Sequence, residues 1–154
     1  MASPIRRQLR FGVLELADDR GSVTLERPAS HVELLVGRGY ASAGFAALIL
    51  AEREQILREA GRIALFDDLA EVVGYDSAVR LELTGWSKAN RARIVSFHIL
   101  TASRILSMGI GVASLALGGT IRAHTRREPF RAALEQECIK PSPLRNAASA
   151  ADTK

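Results

Sequence analysis

Apolar and polar positions change period several times along the chain, and each change marks an element. Residues 11–17 and 22–26 form two short runs carrying Val13, Leu16, Val23 and Leu25, joined by Asp18-Asp19-Arg20-Gly21. This pattern predicts an antiparallel hairpin in which Gly21 supplies the positive φ of the connection. Pro28 ends the hairpin, and 31–36 is a third apolar run, read as a strand that stops at Gly37-Arg38-Gly39. From Ser42 the period becomes helical: Phe45, Leu48, Ile49, Glu52, Ile56 and Ala60 follow spacings of three and four, and Gly61 stands where a C-terminal cap belongs.

Ile63-Ala64-Leu65-Phe66 is a continuous apolar run, the pattern of a strand covered on both faces, and it ends at Asp67-Asp68. After a loop, Asp76 or Ser77 caps a second helix carrying Val79, Leu83 and Trp86 and ending near Asn90. A strand follows at 93–100. Thr101 or Ser103 starts a third helix with Ile105, Leu106, Met108, Val112 and Leu115, closed by Gly118-Gly119. A last strand spans 121–124. Thr125-Arg126-Arg127-Glu128 fits a capping box for a final helix with Phe130 and Leu134, and Pro129 is tolerated at its first turn.

The order of elements predicts an α/β fold: a mixed, mainly parallel sheet of four to six strands, with an N-terminal antiparallel hairpin and about four helices. Residues 1–10 are read as an N-terminal extension and 11–137 as one domain. The segment 138–154, with its Pro-Ser-Pro and Ala/Ser/Asn composition, is read as a disordered tail.

Composition narrows the picture. With 154 residues, 47% of them hydrophobic, the chain has apolar material for one sizeable core. Its single cysteine, Cys138, excludes an internal disulfide and cannot build a thiolate metal site. Ile5-Arg6-Arg7-Gln8-Leu9-Arg10 has no leader pattern and no apolar stretch is long enough to span a membrane, so the expected location is cytoplasmic. Charge is uneven: 1–77 carries 9 basic and 12 acidic side chains, 78–154 carries 12 basic and 5 acidic. Such asymmetry attracts acidic surfaces or anionic lipid in a salt-dependent way, or is only a solvated face with a basic tail. Three lysines and sparse aromatics weigh against a nucleic-acid partner.

A set of segments carries a resemblance. These are Ile63-Ala64-Leu65-Phe66-Asp67-Asp68-Leu69, then Gly74-Tyr75-Asp76-Ser77, the helix to Trp86, Ile94-Val95-Ser96-Phe97-His98-Ile99, the small-residue helix 105–117, and Thr120-Ile121-Arg122-Ala123-His124-Thr125 before Phe130. In this order they resemble the SpoIIAA-like branch of the STAS family, over 62–134 and, with the earlier strand and helix, over 11–135. The resemblance implies a noncatalytic bacterial signalling module that binds protein partners or apolar ligands, related in fold to lipid carriers. In the antagonist branch an Asp-Ser-Ser/Thr-Gly motif opens the helix and its second hydroxyl is phosphorylated. Here Asp76-Ser77-Ala78-Val79 stands instead; Ala78 has no hydroxyl, and Ser77 lies one position away.

Several groups invite chemistry. Asp67, Asp68 and Asp76, with Ser77, form a candidate switch loop at a strand's carboxyl end, where three carboxylates could hold Mg²⁺ for a small phosphate-handling enzyme. Gly37-Arg38-Gly39 lacks the third glycine at dinucleotide spacing and reads as a plain turn. His31, His98 and His124 fall in or near strands with no nucleophile motif, so no catalytic set is assigned. No cofactor or metal is called for.

The third helix is the stronger candidate. Ser107, Gly109, Gly111, Ala113, Ser114 and Ala116 thin its surface between larger residues, so Arg104, Ile105, Met108, Gly109, Val112 and Leu115 form a candidate interaction surface. The expected function is regulatory protein–protein association, including a homo-oligomer; the alternatives are an apolar-ligand or lipid carrier and the Mg²⁺-dependent enzyme.

Overall fold

The structure, a computed structural model, describes residues 4–141. One seven-stranded sheet runs in chain order β1-β2-β3-β4-β5-β6-β7. Its strands are β1 (Ile5–Arg10), β2 (Val13–Ala17), β3 (Gly21–Ala29), β4 (Val32–Ala41), β5 (Ile63–Tyr75), β6 (Ile94–Leu100) and β7 (Ile121–His124). The first four form an antiparallel meander, and β4 to β7 are parallel neighbours. The sheet is therefore evenly divided rather than mainly parallel, and larger than four to six strands. Four helices complete the fold: α1 (Gly44–Ala60), α2 (Ser77–Ala89), α3 (Arg104–Ala116) and α4 (Arg127–Cys138).

Alternation along β5 sets the layers. Ile63 and Leu65 face the α1 side, where Ile56, Leu57 and Ala60 meet Phe97, Ile99 and Ile110 of α3. Ala64 and Phe66 point the other way, to Val32, Leu100 and Phe130 of α4. All four β5 residues are wholly buried, as a strand covered by helices on both faces requires. α2 joins the α1 layer through Trp86 and Leu83. Gly61 takes φ 75° and its N–H returns to the Leu57 carbonyl, closing α1 as its position predicts.

Several boundaries differ from the sequence reading. The 1–10 segment is not wholly an extension, because residues 5–10 pair with β2, and Gly12 takes the positive φ between them. Gly21 does not adopt a positive φ. It lies in β3 opposite Gly39, where a Cβ would stand 2.5 Å from the Arg38 and Tyr40 carbonyl oxygens. Pro28 sits inside β3 at a register irregularity between Glu26 and Ala29 rather than ending the strand. β4 runs through Gly37-Arg38-Gly39 with two further irregularities against β5, and those glycines are strand bulges, not a βα turn. β5 likewise runs past Asp67-Asp68 to Tyr75. α4 begins after Arg126 with no side-chain cap, so the Thr125 capping box does not form. Cys138 ends α4 and packs beside Phe130; the rest of the expected tail, 142–154, lies outside the described residues. Among those residues, no helix is long and apolar enough to cross a membrane.

Candidate interaction helix

α3 starts where Ser103 Oγ accepts from Leu106 N–H at 3.4 Å, and it ends before Gly118 and Gly119, both at positive φ. Its buried side carries Leu106 and Ile110, which pack inward with Leu117 just beyond the helix. The opposite side is apolar too. Ile105, Met108, Val112 and Leu115 are 74%, 74%, 58% and 83% exposed. Their spacing of three, four and three is that of a two-heptad coiled-coil seam. Arg104 is exposed at the seam's N-terminal end, and no charged residue follows until Arg122. Gly109 does not join this surface: a Cβ there would lie 2.6 Å from the Tyr75 hydroxyl, so it faces α2 and β5.

Beneath α3 lies an apolar cavity of about 120 Å³ between α2, α3 and the sheet. Val79 and Leu83 line one wall, Leu106, Ile110 and Ala113 the other, and Phe97 the floor. The small residues thinning α3 on this side leave the space unfilled.

The switch-loop residues do not converge. Asp67 and Asp68 occupy consecutive positions of β5, so their side chains leave opposite faces of the sheet. Asp67 accepts from Arg53 Nη2 at 3.0 Å, and Asp68 accepts from Arg127 and from the Ala70 N–H. Asp76 is the backbone N-cap of α2, but its carboxylate turns back to the Tyr40 hydroxyl and the Ala43 N–H, both at 2.8 Å. Those bonds hold it below the usual carboxylate range. Ser77 is exposed at the first position of α2. Among the described residues no group of carboxylates, histidines or cysteines gathers to hold a metal, which removes the geometry the Mg²⁺ reading needs.

A buried ion cluster was missed by the sequence reading. Arg53, wholly buried on α1, donates through Nε to Glu33 at 2.7 Å and through Nη2 to Asp67. Burial raises both carboxyls, Glu33 to about 7, with Arg53 opposing the rise. The signal was present: Ile49, Arg53, Ile56 and Ala60 share the buried face of α1, whereas Glu52, assigned to that face from spacing, is half-buried at its edge.

The histidines gather on the α4 side. His98 Nδ1 lies 2.9 Å from His124 Nε2, and the His98 ring stacks on Phe66 with centroids 4.6 Å apart. Burial first, then His124 and Arg122, lowers His98 to about 4, so His98 is neutral near pH 7, and burial lowers His124 as well. His31, also buried, sits 3.3 Å from Glu137 of α4. Among the described residues, no serine or cysteine nucleophile is hydrogen-bonded to any of the three.

No protein-family model matches the chain, and no curated protein matches it. Among solved structures it is similar to the crystal structure of an uncharacterized protein of the DUF3478 family from Shewanella loihica, described as having a SpoIIAA-like fold. The two share 13% identity with a TM-score of 0.58, covering 79% of this chain and 98% of that one. The fold is SpoIIAA-like, as the segment order from Ile63 to Phe130 implied.

Proposed function

We propose that this SpoIIAA-like domain is a non-catalytic regulatory binding module that acts by protein–protein association through α3, its first partner being a second copy of itself. The observation that carries the reading is the exposed seam Ile105, Met108, Val112 and Leu115. Exposed apolar residues scattered singly need no explanation, but four in register on one helix face favour a helical partner. The seam is self-complementary. In an antiparallel pair related by a twofold axis, Ile105 faces Leu115 and Met108 faces Val112, and the uncharged stretch to Ile121 brings no like charges together. Light scattering across micromolar concentrations tests this. The parent should move from monomer to dimer, and Met108→Asp should remain monomeric with its fold intact; a parent that stays monomeric throughout contradicts the self-association.

A second reading, an apolar-ligand or lipid carrier, is favoured by the cavity between α2 and α3. Its volume of about 120 Å³ is near the ~150 Å³ that holds a benzene-sized ligand, and well below the roughly 300 Å³ at which drug-sized sites begin. A longer acyl chain would therefore require α3 to move. Native mass spectrometry before and after organic extraction separates the readings, since a carrier loses bound mass and an association module does not.

A further inference from the structure

A second cleft, apart from α3, lies between the β1–β3 meander and α1. It encloses about 690 Å³, within the roughly 300–1,000 Å³ of small-molecule sites. Val13, Leu14, Leu25 and Ile56 give it an apolar body, Phe11 stands at its rim, and Glu33 lies in its wall. Glu33 is 2% exposed, yet only half of its carboxylate is engaged. Oε1 accepts from Arg53, while Oε2 has no hydrogen-bond partner among the described residues. A buried carboxylate oxygen left without a donor is costly and points to a missing one.

The surrounding charges say which kind. Arg53 serves both Glu33 and Asp67, so one guanidinium faces two carboxylates, and one negative charge is unmatched in the interior whenever both are ionised. The other cations at the cleft are already engaged: Arg6 of β1 pairs with Glu52 of α1, and Arg27 of β3 pairs with Glu59. Glu26 of β3, also in the lining, is itself paired with Arg10 at 3.2 Å, so the unmatched charge lies at Glu33 and Asp67.

We propose that this cleft binds a protonated organic amine with an apolar body, its ammonium donating to Glu33 Oε2 and its hydrocarbon lying against Leu14, Leu25 and Ile56. Such a ligand supplies both the absent donor and the missing positive charge. Because burial raises Glu33 to about 7, a proton competes for the same oxygen. Amine affinity therefore falls as pH drops below that value, toward tenfold per pH unit.

Calorimetric titration with benzylamine, against benzoate and benzyl alcohol as probes of the same body, tests the site. Benzylamine should bind at about pH 8, benzoate should not, the alcohol should bind at least about tenfold more weakly, and about pH 6 should weaken the amine about tenfold. Glu33→Gln should lose at least about tenfold in amine affinity. Gln55→Trp, an exposed substitution at the cleft wall that leaves Glu33, Arg53 and Asp67 untouched, should also abolish binding, and it decides the matter if Glu33→Gln does not fold. Absence of benzylamine binding in the parent, equal binding of benzoate, or undiminished affinity in either folded variant would overturn the proposal.

Discussion

Asp67 and Asp68 are neighbours in the chain that meet different cations on opposite faces of the sheet: Arg53 beneath α1 and Arg127 at the edge of α4. The two pairs differ in the property that decides their worth. The Arg53 side chain is 0% exposed and the Arg127 side chain 42%. Removing Arg53 strands two carboxylates in low dielectric, whereas removing Arg127 leaves one, Asp68, which is 8% exposed and still accepts from the Ala70 N–H.

Arg53→Met should therefore destabilise the fold by about 3–5 kcal/mol, since it leaves Glu33 and Asp67 facing each other without a cation. Arg127→Met should cost less, about 1–3 kcal/mol, because the one carboxylate it strands, Asp68, is buried but keeps its bond from the Ala70 N–H. Urea denaturation of the two variants provides the comparison. Equal losses would mean that the buried cluster does not hold α1 to the sheet as described.

Two glycines should respond in opposite directions. Gly21→Ala places a Cβ 2.5 Å from two strand carbonyl oxygens that cannot withdraw without breaking the β3–β4 pairing. A loss of about 1–3 kcal/mol or more is expected. Gly85, inside α2, has nothing within 4 Å of an added Cβ, and Gly85→Ala should stabilise by about 0.5–1 kcal/mol. Thermal melts would read both signs.

The pH dependence of stability combines opposed contributions. His98, lowered to about 4, lets the unfolded chain bind a proton that the fold refuses. Its contribution is complete above the unfolded value of about 6.5 and is lost as pH falls toward the folded value. Glu33, raised to about 7 from 4.5, does the reverse. Its contribution is complete below 4.5 and is lost as pH rises through about 7. Each slope is at most about 1.4 kcal/mol per pH unit. Glu33→Gln should make stability climb more steeply between about pH 5 and 6.5 than in the parent, and His98→Gln should flatten or reverse the climb. Denaturant midpoints at those two pH values measure it; identical slopes in all three proteins would contradict the assignment.

The parts of the fold legible in the sequence are those whose signal is local. The helical period from Phe45 to Ala60 with Gly61 behind it fixes α1, and the unbroken Ile63–Phe66 run identifies a strand buried on both faces. The outward seam of α3 could be read from the spacing of Ile105, Met108, Val112 and Leu115, although Gly109 turns inward because Tyr75 arrives from β5. What stayed hidden depends on distant partners. Asp67 and Asp68 look like a strand's end until Arg53 and Arg127 neutralise them, and Gly37 and Gly39 look like a turn until Val72 and Gly21 press against them. β1 carries no period because all six of its residues are exposed, and its place in the sheet comes from backbone pairing with β2.

The association proposed for α3 is tested most directly by hydrogen exchange of the 104–117 backbone at low and high protein concentration. Amides along this helix should slow as concentration rises into the range where dimers form, and Met108→Asp should abolish the change. Exchange in α3 that stays independent of concentration, while another surface becomes protected as the protein associates, would contradict the claim.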